Sequence, residues 1–191
     1  MKLFIELEKY SPKNILHIGG HIGEEGEIYK QMGANVLFVE PVKEYADIIK
    51  NNGFNVLNVA VGNKRGKVDF RVAGIFSSTM KRASQQEYED NWLKEHNTRV
   101  YNTTVDMIKL EDIEGSFDIL VVDTEGTVLD VLQSGKLNYK VIVAEESSSL
   151  EPQFENEPHN SEIEKYLNKM GYKKVYKYQN NAIYENIYST T

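Results

Sequence analysis

Three apolar runs with no polar interruption, residues 36–39, 119–122 and 141–144, limit what this chain can fold into. A strand with one wet face alternates apolar and polar residues, whereas an unbroken run belongs to a strand covered on both faces. Each run stops at an acidic residue, Glu40, Asp123 and Glu145 in turn. Residues 14–18 have the same character, with His17 set inside them. Helix-like stretches at 24–32, 42–51, 127–133 and 160–170 separate the strands, and Gly33, Gly53 and Gly135 follow the first three as terminators. Strands alternating with helices predict parallel strands joined by crossover helices.

The remaining segments are less regular. A short leading helix is expected over 1–9, broken by Ser11-Pro12, and a third strand over 54–61. Residues 67–72 alternate as an excursion strand, 99–104 read as a short strand and 105–110 as a short helix. Residues 73–98, which contain the single Trp92, and the polar, proline-bearing stretch 147–158 read as irregular cover. At the end, residues 172–178 and 182–187 predict a hairpin around Gln179-Asn180-Asn181, so the last strand turns back antiparallel. The expected fold is α/β and Rossmann-like: a mostly parallel sheet with helices on both faces and a C-terminal antiparallel hairpin, in one domain spanning 1–191.

Composition narrows the partners. At 191 residues the chain buries a core without staples, and with no cysteine it has neither disulfides nor a thiolate nucleophile. A net charge of −7 argues against nucleic acid, whose nonspecific grip needs many cations. The twelve tyrosines are scattered, with no basic patch beside them. Four-residue apolar runs are far too short to span a bilayer, and the acidic N-terminus has no secretory pattern, so a cytoplasmic location is expected.

Between the first strand and its helix lies Gly19-Gly20-His21-Ile22-Gly23, a bend that lets the backbone pass close to a ligand. Glu40 ends the next strand, at the carboxyl edge where parallel sheets bind ligands. A carboxylate there accepts two hydrogen bonds from a ribose diol. The dinucleotide pattern G-x-G-x-x-G fails at Ile18, and no phosphate-loop lysine follows the bend. A ribose-binding acid without a phosphate grip suits adenosine carrying a sulfonium amino acid.

Four strand ends together resemble the FkbM-like family of S-adenosylmethionine-dependent methyltransferases. The resemblance runs over roughly residues 14–146, and the closing hairpin agrees with it. Ile15-Leu16-His17-Ile18-Gly19-Gly20-His21-Ile22-Gly23 resembles the family's first motif, and Phe38-Val39-Glu40-Pro41 its Glu-Pro. Asn58-Val59-Ala60-Val61-Gly62 with Gly66 and Val68-Asp69-Phe70 resembles its third strand and following hairpin. Asp118-Ile119-Leu120-Val121-Val122-Asp123-Thr124-Glu125-Gly126 resembles its Asp-x-x-Lys-x-Asp-x-Glu-Gly segment, and Ser77-Ser78 stand where paired serines are common. Three positions depart from the family: His17 replaces an acid, His21 an asparagine and Val121 a lysine.

The resemblance implies a class I methyltransferase fold that binds S-adenosylmethionine through His17, Gly19, Gly20, His21, Gly23, Glu40, Pro41, Ala60, Val61 and Asp123. The expected reaction is O-methylation of a hydroxyl on a carbohydrate or other small molecule. Asp123, His21 and Glu125 are the candidate catalytic groups, with Ser77, Ser78 and Glu146 toward the acceptor. A general base assists a hydroxyl nucleophile, and Asp123 stands where it would face both cofactor and substrate. His17 and His21 beside carboxylates also raise a magnesium or manganese site as a minor alternative. Two other functions stay open here: a methyl-donor-binding module that has lost catalysis, and a nicotinamide oxidoreductase using the same ribose acid.

Overall fold

The computed structural model describes residues 2–83, 87–146 and 154–188. Its main sheet has seven strands in the order β3-β2-β1-β7-β8-β10-β9. The first five, β3 (Asn55–Leu57), β2 (Asn35–Val39), β1 (Asn14–Ile18), β7 (Ile119–Val122) and β8 (Val141–Glu145), run parallel. β10 (Asn181–Asn186) lies antiparallel between β8 and β9 (Tyr172–Tyr178), as the hairpin reading requires.

The unbroken apolar runs are strands covered on both faces. Successive side chains point to opposite faces of a strand, so Leu16, Ile18, Leu120, Val122, Ile142 and Ala144 form one core with α5 (Val128–Gln133) and α6 (Asn160–Lys169). Ile15, Ile119, Val121, Val141 and Val143 form the other, with Leu7 of α1 (Lys2–Glu8), Tyr29 of α2 (Gly26–Gln31) and Ile49 of α3 (Lys43–Asn51). Among the described residues no helix is long and apolar enough to cross a membrane.

A second sheet, β4-β6-β5, carries two corrections. The strand expected over 54–61 splits: β3 pairs with β2, but β4 (Ala60–Val61) leaves to pair with β6 (Tyr101–Ile108). The break falls at Asn58, whose amide donates to the carbonyls of Glu40 and Pro41 at 2.8 and 3.0 Å, turning the chain. Of the helix expected over 105–110, residues 105–108 are instead the second half of β6, antiparallel to β5 (Gly66–Val72), and Leu110 opens a single 3-10 turn. Val105 and Met107 turn inward while Asp106 stays exposed, and that period of two outweighs helix propensity. Within the segment expected to be irregular, Glu87–Glu95 forms helix α4, and Trp92 packs edge-on against Phe76. Residues 84–86, and 147–153 of the second expected cover, lie outside the described residues.

Candidate active site

The glycine bend is shaped by the strands around it. Gly19 has φ +88°, and a Cβ there would sit 1.8 Å from the Asp123 carbonyl oxygen, so the tips of β1 and β7 touch backbone to backbone. The N–H groups of Gly19 and Gly20 both donate to the Val39 carbonyl, at 2.9 and 3.2 Å. His21 takes a left-handed φ of +44°, and its N–H donates to Glu40 Oε2 at 2.9 Å. Glu40 Oε1 accepts the Val42 N–H at 2.8 Å. Glu40 thus holds the bend and the start of α3 together. Burial pushes its carboxyl up to about 8, against the pull of those two N–H donors.

Beside this joint lies a cavity of about 220 Å³. Val39, Val59, Ala60, Val61 and Phe70 make an apolar slot next to Glu40, Pro41 and Tyr45, and Gly19 and Gly20 line the floor. The split third strand matters here, because β4 carries Ala60 and Val61 to the slot on a separate sheet. At the other end stand Glu24, Glu25, Asp123, Thr124 and Glu125, with Ser77, Ser78 and Thr79 across from them on the wall. Five carboxylates line the described wall, and no lysine or arginine does.

That balance decides between nucleotides. A pyrophosphate needs free N–H groups or cations, yet the N–H groups of Gly19, Gly20, His21 and Gly23 are all bonded within the protein. Glu24 and Glu25 precede α2, where a phosphate would have to sit. The slot, the buried acid and the acidic far end suit an adenosine with a cationic tail.

The acids differ in protonation. Asp123, at the tip of β7, is raised to about 6 by burial and by Glu25, while a hydrogen bond with Glu145 opposes the rise. Glu125 is raised to about 8 by burial, Asp123, Glu157 and Glu89. Glu145 is pushed well above the usual carboxylate range by burial, Asp123, Glu125 and Glu157. At neutral pH, Asp123 is the ionised member of this group. His21 is lowered by burial, partly offset by Glu24 and Glu25, and its ring packs edge-on to Tyr45, with centroids 4.5 Å apart, toward the Glu40 end.

Other expected residues are placed differently. His17 does not line the main cavity. It is 2% exposed among Phe38 and Tyr29, with the Tyr29 hydroxyl 3.1 Å from Nδ1 and no partner at Nε2. Burial lowers it to about 3, so the ring is neutral. Its register partner on β7 is Val121. Glu146 is corrected as well: it does not line the cavity, and its oxygens are taken by Lys174 and Lys177, at 2.7 and 2.8 Å, and by the Tyr184 hydroxyl. Its neighbour Glu145 is the one that meets Asp123. The serine hydroxyls brace the cover: Ser77 donates to the Gly74 carbonyl at 2.6 Å and Ser78 to the Glu125 carbonyl at 2.7 Å. Among the described residues no group of three or more His, Asp or Glu side chains is arranged to hold a metal ion.

Sequence reasoning overlooked Asn58 and Glu145. A polar residue breaking an apolar strand was the available signal for the first. For the second it was the acid ending an apolar run, as at Glu40 and Asp123.

A parallel sheet with this strand order, closed by an antiparallel hairpin around one ligand edge, defines the class I methyltransferases, and solved structures share it. A candidate RNA methyltransferase from Pyrococcus horikoshii superposes with TM-score 0.55 at 13% identity, covering 100% of this chain and 81% of that one. Magnesium protoporphyrin IX methyltransferase from Synechocystis PCC 6803, with bound S-adenosylmethionine, gives 0.51 at 8% identity, covering 96% and 74%. Ribosomal protein L11 methylase from Lactobacillus delbrueckii subsp. bulgaricus gives 0.50 at 11%, covering 96% and 73%. No curated protein matches the sequence. The methyltransferase FkbM domain matches residues 17–174, and the chain belongs to that family of S-adenosylmethionine-dependent methyltransferases.

Proposed function

We propose that this chain methylates a hydroxyl group of a carbohydrate or other small molecule, with S-adenosylmethionine as donor. The observation that carries the reading is the joint between Glu40 and the bend, set beside an apolar slot and facing acids with no cation among them. The donor, when bound, supplies a methyl group already activated by its sulfonium.

The residues then divide the work. Glu40 keeps two acceptor positions for a ribose diol beyond the two N–H groups it already holds. Pro41, Ala60 and Val61 flank the base, and Gly19, Gly20 and Gly23 shape the bend. His21 acts as a positioning residue through its N–H. His17 stays behind the bend, as its support. Asp123, ionised above about pH 6, takes the hydroxyl proton as the new C–O bond forms and the C–S bond breaks with its electron pair left on sulfur. Glu125, protonated at neutral pH, donates a hydrogen bond to the acceptor. Ser77 and Ser78 have spent their protons on carbonyls, so they accept hydrogen bonds from acceptor hydroxyls.

One observation favours a second reading, donor binding without transfer. His17 and Val121, neighbours across β1 and β7, are neutral where the family resemblance expects an acid and a lysine. Calorimetry with S-adenosylhomocysteine and NAD tests the donor, and labelled methyl transfer to a panel of sugars tests the reaction. Binding of NAD with no response to S-adenosylhomocysteine would remove the methyltransferase reading. Donor binding with no transfer to any hydroxyl acceptor would favour the second.

A further inference from the structure

A second chamber lies behind the active site. It encloses about 160 Å³ and shares Glu25 and Asp123 with the main cavity. Leu3, Leu7, Val121 and Val143 make its apolar wall, and Tyr178, Gln179 and Asn181, at the hairpin turn, its polar rim. His17 also lines it, 2% exposed and with Nε2 unsatisfied. A buried nitrogen without a partner is unfavourable, so a polar ligand that bonds it in the chamber is stabilised there.

Charge defines the ligand further. Asp123 is hydrogen-bonded to Glu145, and Glu125 lies two residues further along the chain. Among the described side chains no lysine or arginine lines either cavity. The basic residues nearby are committed to other acids: Arg71 and Arg82 to Glu89, Lys174 and Lys177 to Glu146.

We propose that the acceptor carries an ammonium group beside its reacting hydroxyl, as an amino sugar does, and that this group enters the second chamber to be held by Glu25 and Asp123 with His17 at its back. Glu25 and the Asp123–Glu145 pair give the ammonium acceptors, and Leu3, Leu7 and Val121 pack its carbon stem. Anionic acceptors such as sugar phosphates and uronic acids meet the ionised Asp123, with no lysine or arginine among the described lining residues. The inference rests on the methyltransferase reading and names its substrate class.

The test measures binding of D-glucosamine, D-glucose, N-acetyl-D-glucosamine and D-glucuronate to protein saturated with S-adenosylhomocysteine, by calorimetry at fixed ionic strength. Glucosamine is expected to bind at least tenfold more tightly than glucose or its acetylated form, and glucuronate not at all. Val121→Lys, which places a cation in the chamber, is expected to abolish that preference while leaving the S-adenosylhomocysteine response in place. Glu25→Gln, which removes an acid the two cavities share, is expected to reduce it severalfold. Equal affinity for glucose and glucosamine, or tighter binding of glucuronate, overturns the proposal. So does a glucosamine response seen only without S-adenosylhomocysteine, since the chamber would then hold the donor's own ammonium. Failure of S-adenosylhomocysteine to bind strikes the methyltransferase reading instead, and a glucosamine preference that survives it leaves the cation site standing.

Discussion

Glu40→Gln isolates the charge at the joint while keeping its shape. In the native protein one oxygen accepts the His21 N–H at 2.9 Å and the other the Val42 N–H at 2.8 Å. A carboxylate has about four acceptor positions, so two remain for the ribose. The amide replaces one oxygen by a donor, and one ribose hydroxyl loses its acceptor. A hydrogen bond to a charged group contributes about 1.5–3 kcal/mol, so affinity for S-adenosylhomocysteine should fall roughly 10- to 150-fold. The ribose needs the ionised carboxylate, which forms as pH passes about 8. Wild-type affinity should therefore rise between pH 6.5 and 8.5, by up to about tenfold per unit, and the Gln variant should stay flat. Stability moves the other way. The folded-state value lies above the unfolded one, so this group's contribution falls as pH rises from about 4.5 to about 8, and the variant lacks that fall. Calorimetry at several pH values, with urea denaturation alongside, reads both. A variant within twofold of wild type at pH 8.5, or a wild-type affinity that ignores pH, would remove Glu40 from the donor site.

Three further outcomes follow from the same geometry. Asp123→Asn should slow methyl transfer by about 10²–10⁴-fold with donor binding retained, and the wild-type rate should climb through about pH 6; a variant within tenfold of wild type is incompatible with Asp123 as the base. Gly19→Ala places a Cβ 1.8 Å from the Asp123 carbonyl oxygen at φ +88°, and should cost more than about 2 kcal/mol in urea denaturation; unaltered stability would contradict the close approach of β1 and β7. Glu146→Gln should cost about 1–3 kcal/mol of stability, chiefly at neutral pH, with transfer unchanged. Burial raises the Glu146 pKa, but Lys174, Lys177 and Tyr184 outweigh burial and hold it low, so its contribution is lost as pH falls; a loss of transfer with stability intact would return Glu146 to the acceptor site.

Much of this was legible because strands covered on both faces announce themselves. Residues 36–39 and 119–122 have one reading only, and an acid after each marks the ligand edge. The departures share a cause: side chains acting across the chain. Asn58 breaks the third strand by bonding Glu40 and Pro41, contacts between residues 17 and 18 positions apart. The 105–110 segment has the apolar content of a helix, and its pairing with β5 and β4, together with the period of two at Val105 and Met107, selects the strand. Glu145 and Glu146 are adjacent and identical, and only the place of Glu145 directly after its apolar run distinguishes them in the sequence. Lys174, Lys177 and Tyr184, brought back by the closing hairpin, claim one of the two and leave its neighbour for Asp123.

The Ser78 hydroxyl donates to the Glu125 carbonyl, and the Ser78 backbone pairs with Arg71 on β5. This one residue rivets the wall of the reaction chamber to the turn that bears the acids. Anyone grafting a foreign loop here to retarget the enzyme should leave that rivet in place, because cutting it frees the wall from the acids it faces.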